Sequence, residues 1–215
     1  VMALRLGLPM GLRPALRLVR EGIPRRVDVG RCGEEPFLLA VGGGFEGQVI
    51  READRQLKSR LGKSAYFWSA ARHLPILHHD FTVEVDGEVF EENAASVMVA
   101  NYGTQMGTWI FPPEASGDDG LLDVAVLKAQ TFDQVVTLVA ASLGAPPRQG
   151  GGLTLRRGRK VKVRCRQKVP IQLDGDDQGD ATEFEAEIVP GALTVLVPRK
   201  PQPFHPCLLY TSPSP

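Results

Sequence analysis

The stretch Glu114 to Leu127 reads EASGDDGLLDVAVL, an acidic turn that runs straight into an apolar strand pattern. Asp118 and Asp119 precede Gly120, and Asp123 opens the run Val124 to Leu127. Asp-Gly is good turn chemistry, because Gly accepts a positive φ and Asp side chains bond their own backbone. The same turn also offers carboxylates and main-chain carbonyls, the hard oxygen ligands that Mg2+ selects. Its spacing is not that of an EF-hand loop. On these residues alone the plain turn and the cation site both stand.

Outward from the turn, the chain alternates short apolar runs with turn residues. Downstream, Phe132 to Leu143 has the pattern of an amphipathic helix, and 144–152 is a Gly-rich connection. The rest reads as strands: Leu153 to Leu155, Val161 to Cys165, Val169 to Leu173, Glu183 to Ile188 and Ala192 to Val197. Upstream, Ala94 to Ala100 is a buried strand, followed by a Gly-punctuated loop from Asn101 to Pro113. Phe81 to Val85 and Val89 to Phe90 flank Asp86-Gly87, a hairpin signal. Before these, Ala65 to Leu74 and the segment from Glu46 to Leu57 read as helices, the second with Val49, Ile50, Ala53 and Leu57 on one face.

Leu12, Ala15, Leu16 and Val19 recur at helical spacing, with Pro14 suited to the first turn and Gly22 and Pro24 ending the run. Arg25 to Val29 and Pro36 to Val41 form a hairpin pattern around Gly33. Gly42, Gly43 and Gly44 then read as a tight strand-to-helix turn where backbone comes close to backbone. They lack the Lys and hydroxyl of a phosphate-binding loop.

Formal net charge is zero over 215 residues, so no global field recruits nucleic acid, and electrostatic roles must be local. Cys32, Cys165 and Cys207 lie far apart without CxxC spacing, which fits a reducing, cytoplasmic setting and no structural zinc. No stretch has the length of a membrane span. His78, His79 and Asp80 resemble a metal cluster on paper, but neighbours on a strand point to opposite faces. Lys160, Lys162, Arg164 and Arg166 alternate with Val161, Val163 and Cys165. One strand face is therefore a cationic stripe, either a charge-blunted edge or a patch for anionic lipid headgroups. The chain opens on Val1 rather than Met, as expected of a piece of a longer protein, and residues 199–215, rich in proline, read as a disordered or non-native tail.

Four stretches, taken in order, resemble the diacylglycerol kinase and sphingosine kinase superfamily, especially its bacterial lipid kinases. They are LRLGLP at the start; RRVDVG followed by FLLAVGGGFEGQV; ANYGTQMG with PPEASGDDGLLDVAVL; and VPIQLDGDDQ with FEAEIVPGALTVLVP. Glu46 and Gly47 stand where that family carries Asp and Ala. The resemblance runs from Val1 to about Pro198 and implies an α+β fold, mainly an antiparallel β-sandwich with a few packed helices. It divides the chain into 1–24, a remnant of an N-terminal nucleotide-binding α/β domain, and 25–198, the sandwich. The Gly-Gly-Asp-Gly-Thr motif of the nucleotide-binding domain does not occur in this sequence.

The resemblance also implies sites. The family's structural Mg2+ would take the Asp119 carboxylate and the main-chain carbonyls of Ser116 and Leu121, with Asp118 and Asp123 nearby. The family's Asp-Gly-Glu, implicated in activating the lipid hydroxyl, falls on Asp174, Gly175 and Asp176. Because the third position is Asp here, Asp174 and Asp176 are rival candidates for the base. Lys58 and Arg60 (or Lys63), near a helix end, would be placed to meet ATP phosphates. The implied function is transfer of the ATP γ-phosphate to a lipid alcohol by a protein peripheral to the membrane, and a homo-oligomer is open. A non-catalytic lipid- or partner-binding sandwich is the alternative, and the Asp-Asp-Gly-Leu-Leu-Asp block argues against a NAD kinase.

Overall fold

In the computed structural model, residues 2–9, 11–56, 74–106, 109–141 and 152–199 are described. Lys58, Arg60, Lys63, most of the expected aromatic helix and nearly all of the expected tail lie outside them. The helices are α1 (Met2–Arg5), α2 (Leu12–Glu21), α3 (Phe45–Gln56) and α4 (Phe132–Ala141). The strands are β1 (Ile23–Cys32), β2 (Glu35–Phe37), β3 (Ala40–Gly44), β4 (His79–Val85), β5 (Glu88–Ala94), β6 (Ser96–Ala100), β7 (Tyr102–Met106), β8 (Trp109–Ser116), β9 (Leu122–Leu127), β10 (Leu153–Gly158), β11 (Lys160–Leu173) and β12 (Asp176–Val197).

Ten strands form one sheet: eight run in the order β10-β9-β6-β3-β11-β12-β1-β2, β4 pairs with β11 and β5 with β4, and every pairing is antiparallel. The sheet divides at β11. The first half of that strand pairs with β4, from Val161 opposite Val85 to Cys165 opposite Phe81, and its second half pairs with β3. Val97, Val99, Val124 and Val126 thereby share one core with Phe81, Val83, Val161, Val163 and Phe184, as two leaves of a sandwich do. A second cluster joins Phe45 and Val49 of α3 to Ala125, Val135 and Leu153, so α3 and α4 cover apolar surface that the first core leaves.

Several boundaries differ from the sequence reading. Gly42 to Gly44 belong to β3, paired with β6 on one side, and α3 starts at the next residue. The close approach is real: a Cβ on Gly44, whose φ is 101°, would stand 2.4 Å from the Ala95 carbonyl oxygen. The loop expected over Asn101 to Pro113 contains the β7–β8 hairpin, a separate two-stranded sheet. Four expected runs merge into β11 and β12, of 14 and 22 residues. The ladder passes Arg166 to Lys168 through a shift in register rather than a break, so the periodicity slips while the strand continues.

Candidate active site

The acidic turn begins where β8 ends. Gly117 and Gly120 take φ of 70° and 72° and bend the chain between Ser116 and Leu121. A side chain at Gly117 would enter the Tyr102 ring, since its Cβ would lie 2.0 Å from a ring carbon. The turn is held from below by Asp28 of β1, which is buried. Its carboxylate accepts the Gly120 N–H at 2.7 Å and the Gly191 N–H at 2.6 Å, and its own N–H donates to the Gly117 carbonyl at 2.9 Å.

Above this anchor the acids face outward and meet arginines. Asp119 accepts the Leu121 N–H at 3.1 Å and pairs with Arg157, whose Nε lies 3.0 Å from buried Asp123 on the neighbouring strand. Asp118 pairs with Arg25, and this hydrogen bond is the main reason that the guanidinium holds its proton more tightly than usual. The Asp119 carboxylate, here paired with Arg157, and the main-chain carbonyls of Ser116 and Leu121 on the same turn are oxygen donors of the kind a hard cation such as Mg2+ takes. Among the described residues no group of three or more His, Cys, Asp and Glu side chains has metal-site geometry, the His78 to Asp80 region included. His78 instead bonds Asn93 at 3.1 Å and the Ala129 carbonyl at 2.9 Å, and burial pushes the His79 imidazole below its ordinary pKa.

Asp174 and Gly175 form the tight turn between β11 and β12, at φ of 50° and 92°. The Asp174 carboxylate accepts three backbone N–H groups, from Leu38 and Leu39 at 2.7 Å each and from Ala40 at 3.0 Å, while its N–H donates to the Ala40 carbonyl at 2.8 Å. Both of its oxygens are thus committed to the β2–β3 connection. Asp176, two residues on, is exposed, and its side chain makes no hydrogen bond or ion pair among the described residues. Asp86-Gly87 is the geometric twin, at φ of 50° and 91°, and its carboxylate takes the N–H groups of Arg159 and Lys160. In both tripeptides the first acid is a clamp for a neighbouring segment. The third residue is the one left open.

Several residues around these turns escaped the sequence reading. Asn101, wholly buried, donates from Nδ2 to the carbonyls of Asp28 at 2.9 Å and Leu38 at 3.1 Å. Gln172 accepts the Gly175 N–H at 2.9 Å and reaches Glu46 at 3.5 Å. Burial pushes the Glu46 carboxyl up to about 8, against the opposing effect of its hydrogen bond from Gln172. Arg51 of α3 grips Asp177 in a two-pronged pair at 2.8 and 2.9 Å and Asp180 at 2.7 Å, fixing the start of β12. The cationic stripe is the reverse case: Lys160 pairs with Glu185 at 2.8 Å, Lys162 lies 3.9 Å from Glu183 and Glu185, and Arg164 lies 3.5 Å from Glu183. The charges of Lys160, Lys162 and Arg164 are answered across the strand pair.

A family profile described as the YegS C-terminal NAD kinase beta sandwich-like domain matches residues 39–197. The chain belongs to that family. Curated proteins similar to this YegS-type domain include a diacylglycerol kinase of Bacillus subtilis, 25% identical over 176 residues, covering 81% of this chain and 58% of the relative. A "probable lipid kinase YegS-like" of Pseudomonas putida is 32% identical over 196 residues, covering 89% and 63%. An uncharacterised protein of Synechocystis is 30% identical, covering 90% and 46%. The chain therefore spans about half to two thirds of the length of these relatives. A crystal structure of a diacylglycerol kinase from Bacillus anthracis superposes with a TM-score of 0.72 at 24% identity, covering 91% of this chain and 64% of that one, a likeness of fold. Membership of the YegS C-terminal domain family and the sandwich fold are thus both in hand.

Proposed function

We propose that this YegS-type domain supplies the acceptor side of an ATP-dependent lipid kinase. The observation that supports this most is the division of labour at Asp174-Gly175-Asp176, one carboxylate locked into the backbone and one held open on the same tight turn. Asp176 accepts the proton of a lipid hydroxyl as its oxygen bonds to the γ-phosphorus of ATP, and the bond to the bridging oxygen breaks to release ADP. Positioned base catalysis of this kind typically contributes about 100-fold to 10,000-fold. Gly175 keeps the turn tight enough for the acceptor to approach. Asp174 positions. Mg2+, held by Asp119 and the carbonyls of Ser116 and Leu121, would supply neutralising charge beside the phosphates.

As a remnant of the nucleotide-binding domain, the segment 1–24 would carry the surface on which the rest of that domain packs. The apolar residues Leu12, Leu16 and Val19 of α2 are 77, 63 and 71% exposed, and α2 buries no residue of its own. Lys58 and Arg60 are candidates for contact with ATP phosphates from the acceptor side. No helix among the described residues is long and apolar enough to cross a membrane.

The test is an assay of the enzyme extended upstream to the length of its relatives, with ATP and a panel of lipid alcohols, with and without Mg2+. Magnesium-dependent phosphate transfer to one lipid class is the expected result. A folded, ATP-binding enzyme that phosphorylates none of them would overturn the proposal.

A further inference from the structure

The two turns that the proposed function assigns to metal and base lie on different strands, yet an unbroken run of hydrogen bonds joins them. It starts at the acidic turn, where Asp28 accepts the Gly120 N–H and donates its own N–H to the Gly117 carbonyl. From there Asn101 takes over. One amide proton of its side chain goes to the Asp28 carbonyl and the other to the Leu38 carbonyl, while its backbone N–H donates to the Leu39 carbonyl at 2.8 Å. The N–H groups of Leu38, Leu39 and Ala40 end the run on the Asp174 carboxylate.

We infer that Asn101 is a positioning residue that couples the acidic turn to the Asp174–Asp176 turn, so that the two move as one unit. The chemistry singles out an amide. A carboxamide NH2 carries two donors in one plane, so a single side chain bridges carbonyls from two segments. Asp at 101 would set acceptors against both carbonyls, and Leu would satisfy neither. Full burial removes water as a substitute donor, so the bridge cannot be exchanged for solvent without opening the fold.

The inference rests on the kinase reading for what the two turns do, but not for whether they are coupled. Amide hydrogen exchange on the 215-residue chain therefore tests it without turnover. Asp174→Asn keeps the left-handed backbone, which Asn tolerates, but turns an NH2 group toward one of the three amides. The expected result is faster exchange at Leu38 to Ala40 and, across the network, at least threefold faster exchange of the Gly120 amide. In an Asn101→Ala background the same substitution leaves Gly120 unmoved. Amides of the β4–β5 hairpin report whether a variant has loosened globally, and Asn101→Ser, which keeps one donor, gives an intermediate response. An unchanged Gly120 amide in Asp174→Asn, or an equal acceleration without Asn101, overturns the inference. Coupling in a chain whose longer form phosphorylates no lipid would sink the kinase reading alone; lipid phosphorylation without coupling would sink this inference alone.

Discussion

Asp174 and Asp176 carry the same functional group two residues apart, and their environments give them different work. Asp174 accepts three amides as an ionised acceptor, and hydrogen bonds to a charged group are each worth about 1.5–3 kcal/mol. Asp174→Asn should therefore destabilise the chain by roughly 1–3 kcal/mol in a urea titration. Asp176→Asn, at an exposed position without partners, should stay within about 0.5 kcal/mol of the parent. Equal losses would erase the distinction between clamp and base. Glu46 offers a pH test. Its folded-state carboxyl titrates near 8 against an ordinary value of 4.5, so the folded chain binds a proton there that the unfolded chain has released. The stabilisation is complete below about 4.5 and is lost as pH rises through 8, with a slope of at most about 1.4 kcal/mol per pH unit. Glu46→Gln should flatten this part of the stability profile, and an unaltered slope would show that another group is responsible. These roles were hidden from sequence for a physical reason. Asn101 and Glu46 are legible as residue types, but which carbonyl an amide meets, or what desolvates a carboxyl, depends on segments far away in the chain.

At the scale of elements, the reading of periodicity succeeded where one face of a strand is buried. The β4–β5 hairpin and its Asp86-Gly87 turn, the buried run that became β6, and α4 all stand close to where the pattern placed them. It failed where a strand continues through a shift in register, as β11 does between Arg164 and Val169. It also missed β7 and β8, because Gly103, Gly107, Pro112 and Pro113 read as breakers. The stripe on β11 shows the limit of reading one strand alone: its alternation is real, but the glutamates of β12 that answer it are set by register. Exposed ion pairs of this kind contribute at most about 1 kcal/mol each. Replacing Lys160 and Lys162 by Gln should leave binding to anionic vesicles within twofold, measured by co-sedimentation. A tenfold loss would restore the stripe as a lipid-facing patch.

For the whole molecule, the order and spacing of the motifs carried more than any one of them. Family and sandwich were legible from the acidic turn, the Asp-Val-Gly strand and the closing Asp-Gly-Asp turn together, whereas the wiring between those turns needed the fold. The exposed apolar face of α2 extends the account to the longer protein. Leu16→Glu should barely alter the melting of this chain but should weaken the docking of the nucleotide-binding domain in the extended enzyme, seen as a separate, earlier unfolding step. A single cooperative transition would place that domain elsewhere. The central claim is that Asp176 serves the lipid hydroxyl as the open carboxylate of a pinned turn. Its most direct test is the single-turnover rate of phosphate transfer by the Mg2+-loaded extended enzyme carrying Asp176→Asn. A rate at least 100-fold below the parent, with ATP affinity unchanged, is the expected result. Transfer within threefold of the parent would contradict it.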